Sequence, residues 1–200
     1  MRTDPVRVAP YVGLMTTTRN AELLEQLTWH WDNQLRPRFE GLTDEEYLWE
    51  PVPGAWSLRP RGQARTARFG GSGEVVVEFA FPEPTPPPLT TIAWRLAHVI
   101  VGVLGMRNAS HFGGTPTSYD DHDYAATAKG ALDQLDEQYE RWVTGVRALG
   151  EDGLDRPVGP AEGPWAKSPY SELVLHIHRE VIHHGAEIAL LRDLWAHGVR

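Results

Sequence analysis

The chain has 200 residues, 19 Lys and Arg against 27 Asp and Glu, a formal net charge of −8, and no cysteine. That length suits one domain, residues 1–200, with a sizeable core. The acidic balance argues against a nucleic-acid surface, which needs clustered Lys and Arg. The lack of Cys excludes disulfides, zinc–thiolate sites and a Cys nucleophile, and fits a reducing cytoplasm.

In chain order, residues 1–15 read as an N-terminal extension without the apolar stretch of a signal peptide. The first long helix starts at the Thr16-Thr17-Thr18 cap region, runs through RNAELLEQLTWHWDNQL and ends at Pro37. GLTDEEYLWEPVPGAWS follows as a short helical turn, with Thr43 as its cap and Glu46 three residues on, and then a Pro/Gly loop. GEVVVEFAF is rich in β-branched and aromatic residues and pairs as a hairpin with ARTARF across Gly70–Gly73, an insertion over residues 64–82. Pro82 to Pro88 is a stiff connector. The second long helix, TTIAWRLAHVIVGVLGMRNAS, is apolar on nearly every side and ends at Gly113-Gly114. Its run HVIVGVLGM is too short and Gly-broken to span a bilayer, so a soluble cytoplasmic protein is expected. The third helix is AATAKGALDQLDEQYERWVTGVRAL, and Ser168-Pro169 opens the fourth as cap and first-turn proline. These elements predict an all-α four-helix bundle with a small β-hairpin insertion between its first two long helices.

The fourth helix, YSELVLHIHREVIHHGAEIALLRDL, carries four of the nine histidines. At about 100° per residue, His184 falls inside the apolar stripe of Leu173, Ile177, Val181, Ile188 and Leu191. Glu180 and Glu187 lie at the edge of that stripe beside His176 and His183, and His178 points away. An imidazole and a carboxylate on a core-facing stripe need a partner. A metal is one candidate. His98 is the best contributor from a second helix, since Gly102 and Gly105 on its face leave room for a helix crossing or a small ligand. His98, His184 and Glu180 make a two-histidine, one-carboxylate set, and Glu180 to His184 is the i,i+4 spacing that brings two ligands to one ion. Such a set suits a divalent ion: Zn, Ni, Fe or Mn.

Other features carry less. No two histidines of the fourth helix are four apart, so a zincin mechanism is not supported. His176 and His183 are alternative ligands or flanking groups. His111 reads as a helix-terminal histidine that could line a pocket mouth. Asp120 to Asp123 reads as a solvated loop, and Trp49, Trp56 and Trp165 as loop anchors that could also rim an apolar pocket.

Together these segments resemble the DinB superfamily, also called the DinB/YfiT-like metalloenzymes. GLTDEEYLWEPVPGAWS resembles the family's loop after the first helix, TIAWRLAHVIVG its second-helix motif, and REVIHHGAEIALLRDL its fourth-helix motif of the form H-x-x-H-H-R-G-Q-I. The resemblance spans about residues 20 to 195. It implies a four-helix bundle, often a homodimer, with a divalent metal held by one second-helix and two fourth-helix histidines. His98 and His184 match two of those ligand positions. The third falls on Glu180, where the family commonly has histidine.

Two functions follow as expectations. The first is a metal-dependent enzyme acting on a small molecule. The resemblance suggests a transferase using a low-molecular-weight thiol such as mycothiol or bacillithiol, with metal-dependent hydrolysis as a variant. Glu187 and His183 are the candidate proton carriers. The second is a non-catalytic, stress-associated binding or scaffold protein with a degenerate metal site, in which His98, Glu180 and His184 bond one another directly. Neither nucleic acid nor membrane is an expected partner.

Overall fold

A computed structural model of the chain describes residues 17–199; the expected extension over residues 1–15, and Thr16 of the expected cap, lie outside the described residues. Helix α1 (Arg19–His30) begins where the Thr18 hydroxyl accepts the Ala21 N–H, which satisfies one of the N–H groups left unpaired in a first turn. It does not stop at Pro37. The rod continues through a π segment (Trp31–Leu35) into a 3₁₀ turn (Arg36–Phe39) that holds Pro37 in its first turn, where its missing N–H costs nothing. The short α2 (Asp44–Tyr47) is capped by Thr43, whose hydroxyl accepts the Glu46 N–H.

The insertion is a three-stranded antiparallel sheet where a two-stranded hairpin was expected. Its order is β1 (Leu58–Pro60), β3 (Val75–Phe79), β2 (Arg68–Gly70). Central β3 buries Val76 and Val77, and its Glu78 is buried too. Glu78 accepts from Arg59 Nε at 2.9 Å and from the backbone N–H of Ser57 and Arg65, so its charge is fully engaged.

The second long rod has three consecutive parts: α3 (Ile92–Ala97), capped by Thr91, a second π segment (His98–Gly105), and α4 (Met106–His111). Helix α5 (Ala128–Leu154), capped by Thr127, extends past Leu149 across a kink at Gly150, where φ is +62°. Such a φ is inexpensive only for glycine. Helix α6 (Tyr170–Ala196) starts later than expected: Pro169 occupies the cap position in extended conformation, and Ser168 provides no side-chain cap. The rods pack on one another through Leu27, Leu35, Leu96, Leu104, Leu135, Trp142, Ile177 and Ile188, all buried. Among the described residues no helix is long and apolar enough to cross a membrane.

Helix α6 touches α1, the first π segment, α3, the second π segment and α5, so it is covered on more than one side. His178, expected to point outward, is therefore 1 % exposed and lies against Trp142 of α5, with ring centroids 6.2 Å apart. The Leu23 backbone faces the ring, but neither ring nitrogen forms a hydrogen bond of normal geometry. Burial pushes this imidazole down to about 4. Above pH 6.5 both the folded and the unfolded chain hold His178 neutral. As pH falls below 6.5 the unfolded chain gains a proton that the folded chain refuses until about pH 4. Stability is thus lost across that window, by up to about 3 kcal/mol from this residue. His178→Leu is expected to raise stability at pH 7 by about 1 kcal/mol or more, because an unsatisfied buried polar group is removed. It should also flatten the loss between pH 6.5 and 4. Urea titrations at several pH values check both, and a destabilised variant with unchanged pH dependence would show that the ring is satisfied.

Candidate metal centre

The second π segment and α6 bring the candidate ligands together. A π turn carries one residue more per turn than the α pattern and recurs at functional sites. Here it begins at His98 and turns the half-buried imidazole towards α6. The His98 and His184 rings meet edge to face, with centroids 4.7 Å apart. His98 Nδ1 is 2.6 Å from the Tyr119 hydroxyl, which leaves Nε2 as its open nitrogen. Burial, and then the neighbouring His184 and Arg95, push His98 down to about 4, against the opposing pull of Glu180 and Glu187. It is therefore neutral at pH 7 and offers a lone pair. Burial pushes the Tyr119 phenol up to about 12, so it keeps its proton.

His184 is buried at 8 % exposure. Its Nδ1 lies 2.7 Å from Glu187 Oε2, while its Nε2 lies 3.4 Å from Glu180 Oε2. Arg95 Nε, 3.2 Å from the same Glu187 oxygen, anchors that carboxylate from α3. Contacts to the other Glu180 oxygen are long, 3.6 Å from both His176 Nδ1 and Arg179 Nε. Glu180 thus retains acceptor capacity that Glu187 has already committed.

The five acidic and histidine candidates on α6 do not all converge. His183, His184 and Glu187 offer ligand atoms within 4.8 Å of one another; the trio His98, His184 and Glu180 does not close to that span. His183 is 62 % exposed, with Nε2 3.6 Å from Glu187 Oε1. His176 accepts from Arg179 Nη2 at 2.6 Å. His111 ends α4 as expected, and its ring is enclosed: its Nε2 is 2.8 Å from Glu162 Oε1 and its Nδ1 3.2 Å from the Tyr170 hydroxyl.

The His-His-Glu cluster on the last helix is His183, His184 and Glu187, which shares only His184 with the expected set of His98, His184 and Glu180. The DinB superfamily family model matches residues 26–188, most of the chain. The chain belongs to the DinB superfamily. No curated protein and no solved structure matches it. Glu180 stands one helical turn before His184.

Tyr119, Arg95 and the engagement of His111 escaped the sequence reading. The room that Gly102 leaves beside His98 is filled by this tyrosine: a Cβ at Gly102 would sit 2.0 Å from the Tyr119 hydroxyl and 3.2 Å from His98 Nδ1. Gly102→Ala must therefore push Tyr119 off His98. If Tyr119 orients a metal ligand, Gly102→Ala and Tyr119→Phe should each weaken divalent-metal affinity by about tenfold. Calorimetric titration with Zn checks this, and unchanged affinity in both variants would separate Tyr119 from the centre.

The donor set suits a divalent ion. Two imidazole nitrogens and a carboxylate are a common set for Zn, Ni, Fe and Mn, and each imidazole has its far nitrogen held by a partner.

Proposed function

We propose that this protein is a divalent-metal-dependent enzyme built on a four-helix bundle, with His98 and His184 binding the ion through Nε2 and Glu180 as the third ligand. The observation that carries this reading is the committed pairing of each far nitrogen. His184 Nδ1 meets Glu187 and His98 Nδ1 meets Tyr119, so each ring keeps its Nε2 uncommitted, and the two rings meet edge to face. The one-helix trio of His183, His184 and Glu187 recruits an exposed histidine. The scaffold reading expected His98, Glu180 and His184 to bond one another; their short hydrogen bonds go elsewhere, which counts against it.

When bound, the ion supplies Lewis acidity that lowers the pKa of a coordinated thiol or water. The chain's own groups do the rest. Glu187 orients His184 by accepting its Nδ1–H, and Arg95 holds Glu187 in place. Glu187 Oε1 faces the exposed His183 Nε2, a route by which a proton released at the centre can reach solvent. The chain contains no cysteine, so a sulfur nucleophile has to come from a small molecule. A low-molecular-weight thiol, in an S-transfer reaction, is the substrate class that the family resemblance supports; hydrolysis is the variant. A homodimer is likewise an expectation carried by the resemblance, and a cytoplasmic location is one carried by the lack of cysteine.

Metal analysis of untagged protein after equilibration with Zn, Ni, Fe(II) or Mn tests the reading. About one ion per chain is expected, with a three-ligand site open to substrate. No retained ion with any of the four would overturn it.

A further inference from the structure

A cavity of about 520 Å³ opens between Arg107 of α4, the loop around residues 158–168 and the first half of α6. That volume lies in the range of small-molecule sites, about 300–1,000 Å³. Its body is apolar: Val158 and Leu173 are buried on its wall, and Leu175 and Trp165 are exposed at its rim. Trp165, one of the expected loop anchors, therefore serves as a rim.

The polar groups on the wall are not balanced in hydrogen-bonding capacity. Glu162 is tied back, with Oε1 2.8 Å from His111 Nε2. Glu172 is exposed to solvent, where its charge is screened. The two cations keep unspent donors. Of the five N–H groups on a guanidinium, Arg107 uses Nη1 on the Gly102 carbonyl at 2.7 Å, and its Nη2 reaches Glu162 at only 3.5 Å. Its Nε also has no partner, but it is closed to solvent, so a ligand in the cavity meets the outer guanidinium nitrogens. Arg179 commits Nη2 to His176 and holds Glu180 only at 3.6 Å. The two carboxylates of the wall leave this donor capacity unspent.

We propose that this cavity binds a small organic acid, its carboxylate on Arg107 and Arg179 and its aryl or alkyl body against Val158, Leu173 and Trp165. A guanidinium fork matches a carboxylate better than any neutral acceptor, and the apolar wall disfavours a fully hydrated anion. His176 and Arg179 line this cavity and also contact Glu180, so the acid would lie beside the proposed metal centre. The binding itself does not depend on that centre.

The test uses full-length protein stripped of metal with EDTA, so that loss of the metal reading leaves it intact. Calorimetry would compare 4-phenylbutyrate, 4-phenylbutyramide and 4-phenylbutylamine. The acid is expected to bind at least about tenfold more tightly than the amide or the amine. The methyl resonances of Val158, Leu173 and Leu175 should shift on its addition. Arg179→Met, at an exposed position, should remove most of that preference, and Arg107→Met the remainder. Equal binding of acid and amide, tighter binding of the amine, or shifts scattered away from those methyls would overturn the proposal. The wild-type comparison decides even if Arg107→Met fails to fold.

Discussion

His184→Ala is expected to weaken divalent-metal binding by about 100-fold or more, or about 3 kcal/mol. The substitution removes the one imidazole common to both candidate ligand sets, and it frees Glu187 from its 2.7 Å contact. Two further variants separate the sets. If His98, His184 and Glu180 hold the ion, His98→Ala should lose as much affinity as His184→Ala, and Glu180→Gln should lose about tenfold or more. His183→Ala should then change little. If the trio on α6 holds it, His183→Ala loses the affinity and His98→Ala does not. His178→Leu serves as a control, because that ring is buried against Trp142 and neither of its nitrogens bonds to the centre.

The largest effect on stability is expected at Arg192. Its Nε lies 2.7 Å from Glu46 Oε1 and its Nη2 3.1 Å from Glu46 Oε2, a two-point pairing with side chains only 16 % and 5 % exposed. Nη1 also donates to the carbonyls of Arg38 and Glu40. One guanidinium thus ties the end of α6 to α2 and to the turn after the first rod. Arg192→Met leaves the Glu46 carboxylate buried without its partner, at a cost of about 3–5 kcal/mol. The double variant Glu46→Met/Arg192→Met should recover most of that loss, since replacing both partners with apolar groups is close to neutral. Urea midpoints at constant slope measure both. A loss below about 1 kcal/mol for the single variant would mean that the pair behaves as a surface bridge.

Much of the fold was legible because local chemistry marks it. Thr18 and Thr43 cap helices at the ends where apolar periodicity begins, whereas Thr127, expected inside the third helix, is its cap and the helix starts at Ala128. Other features arise from tertiary contact and leave no local mark. The strand Leu58–Pro60 is three residues long, includes a proline, and exists only because β3 offers it an edge. The second π segment lies in a run that is apolar on every side, so periodicity cannot distinguish it from α-helix. The helical wheel placed His184 inward, and its burial agrees. It placed His178 outward because a wheel assumes one buried face, whereas α6 is covered from several sides. Tyr119 reaches His98 from a loop rich in aspartate, and nothing in the spacing connects them. The trace it left was Gly102, a gap beside the imidazole with no visible occupant.

The arrangement rests on where one ion sits. The most direct measurement is a crystal structure of protein loaded with Zn, with anomalous diffraction collected at the metal edge. A single peak between His98 Nε2 and His184 Nε2, with Glu180 coordinating and Glu187 still bonded to His184 Nδ1, is the expected result. A peak between His183, His184 and Glu187, or no peak against His184, would contradict it.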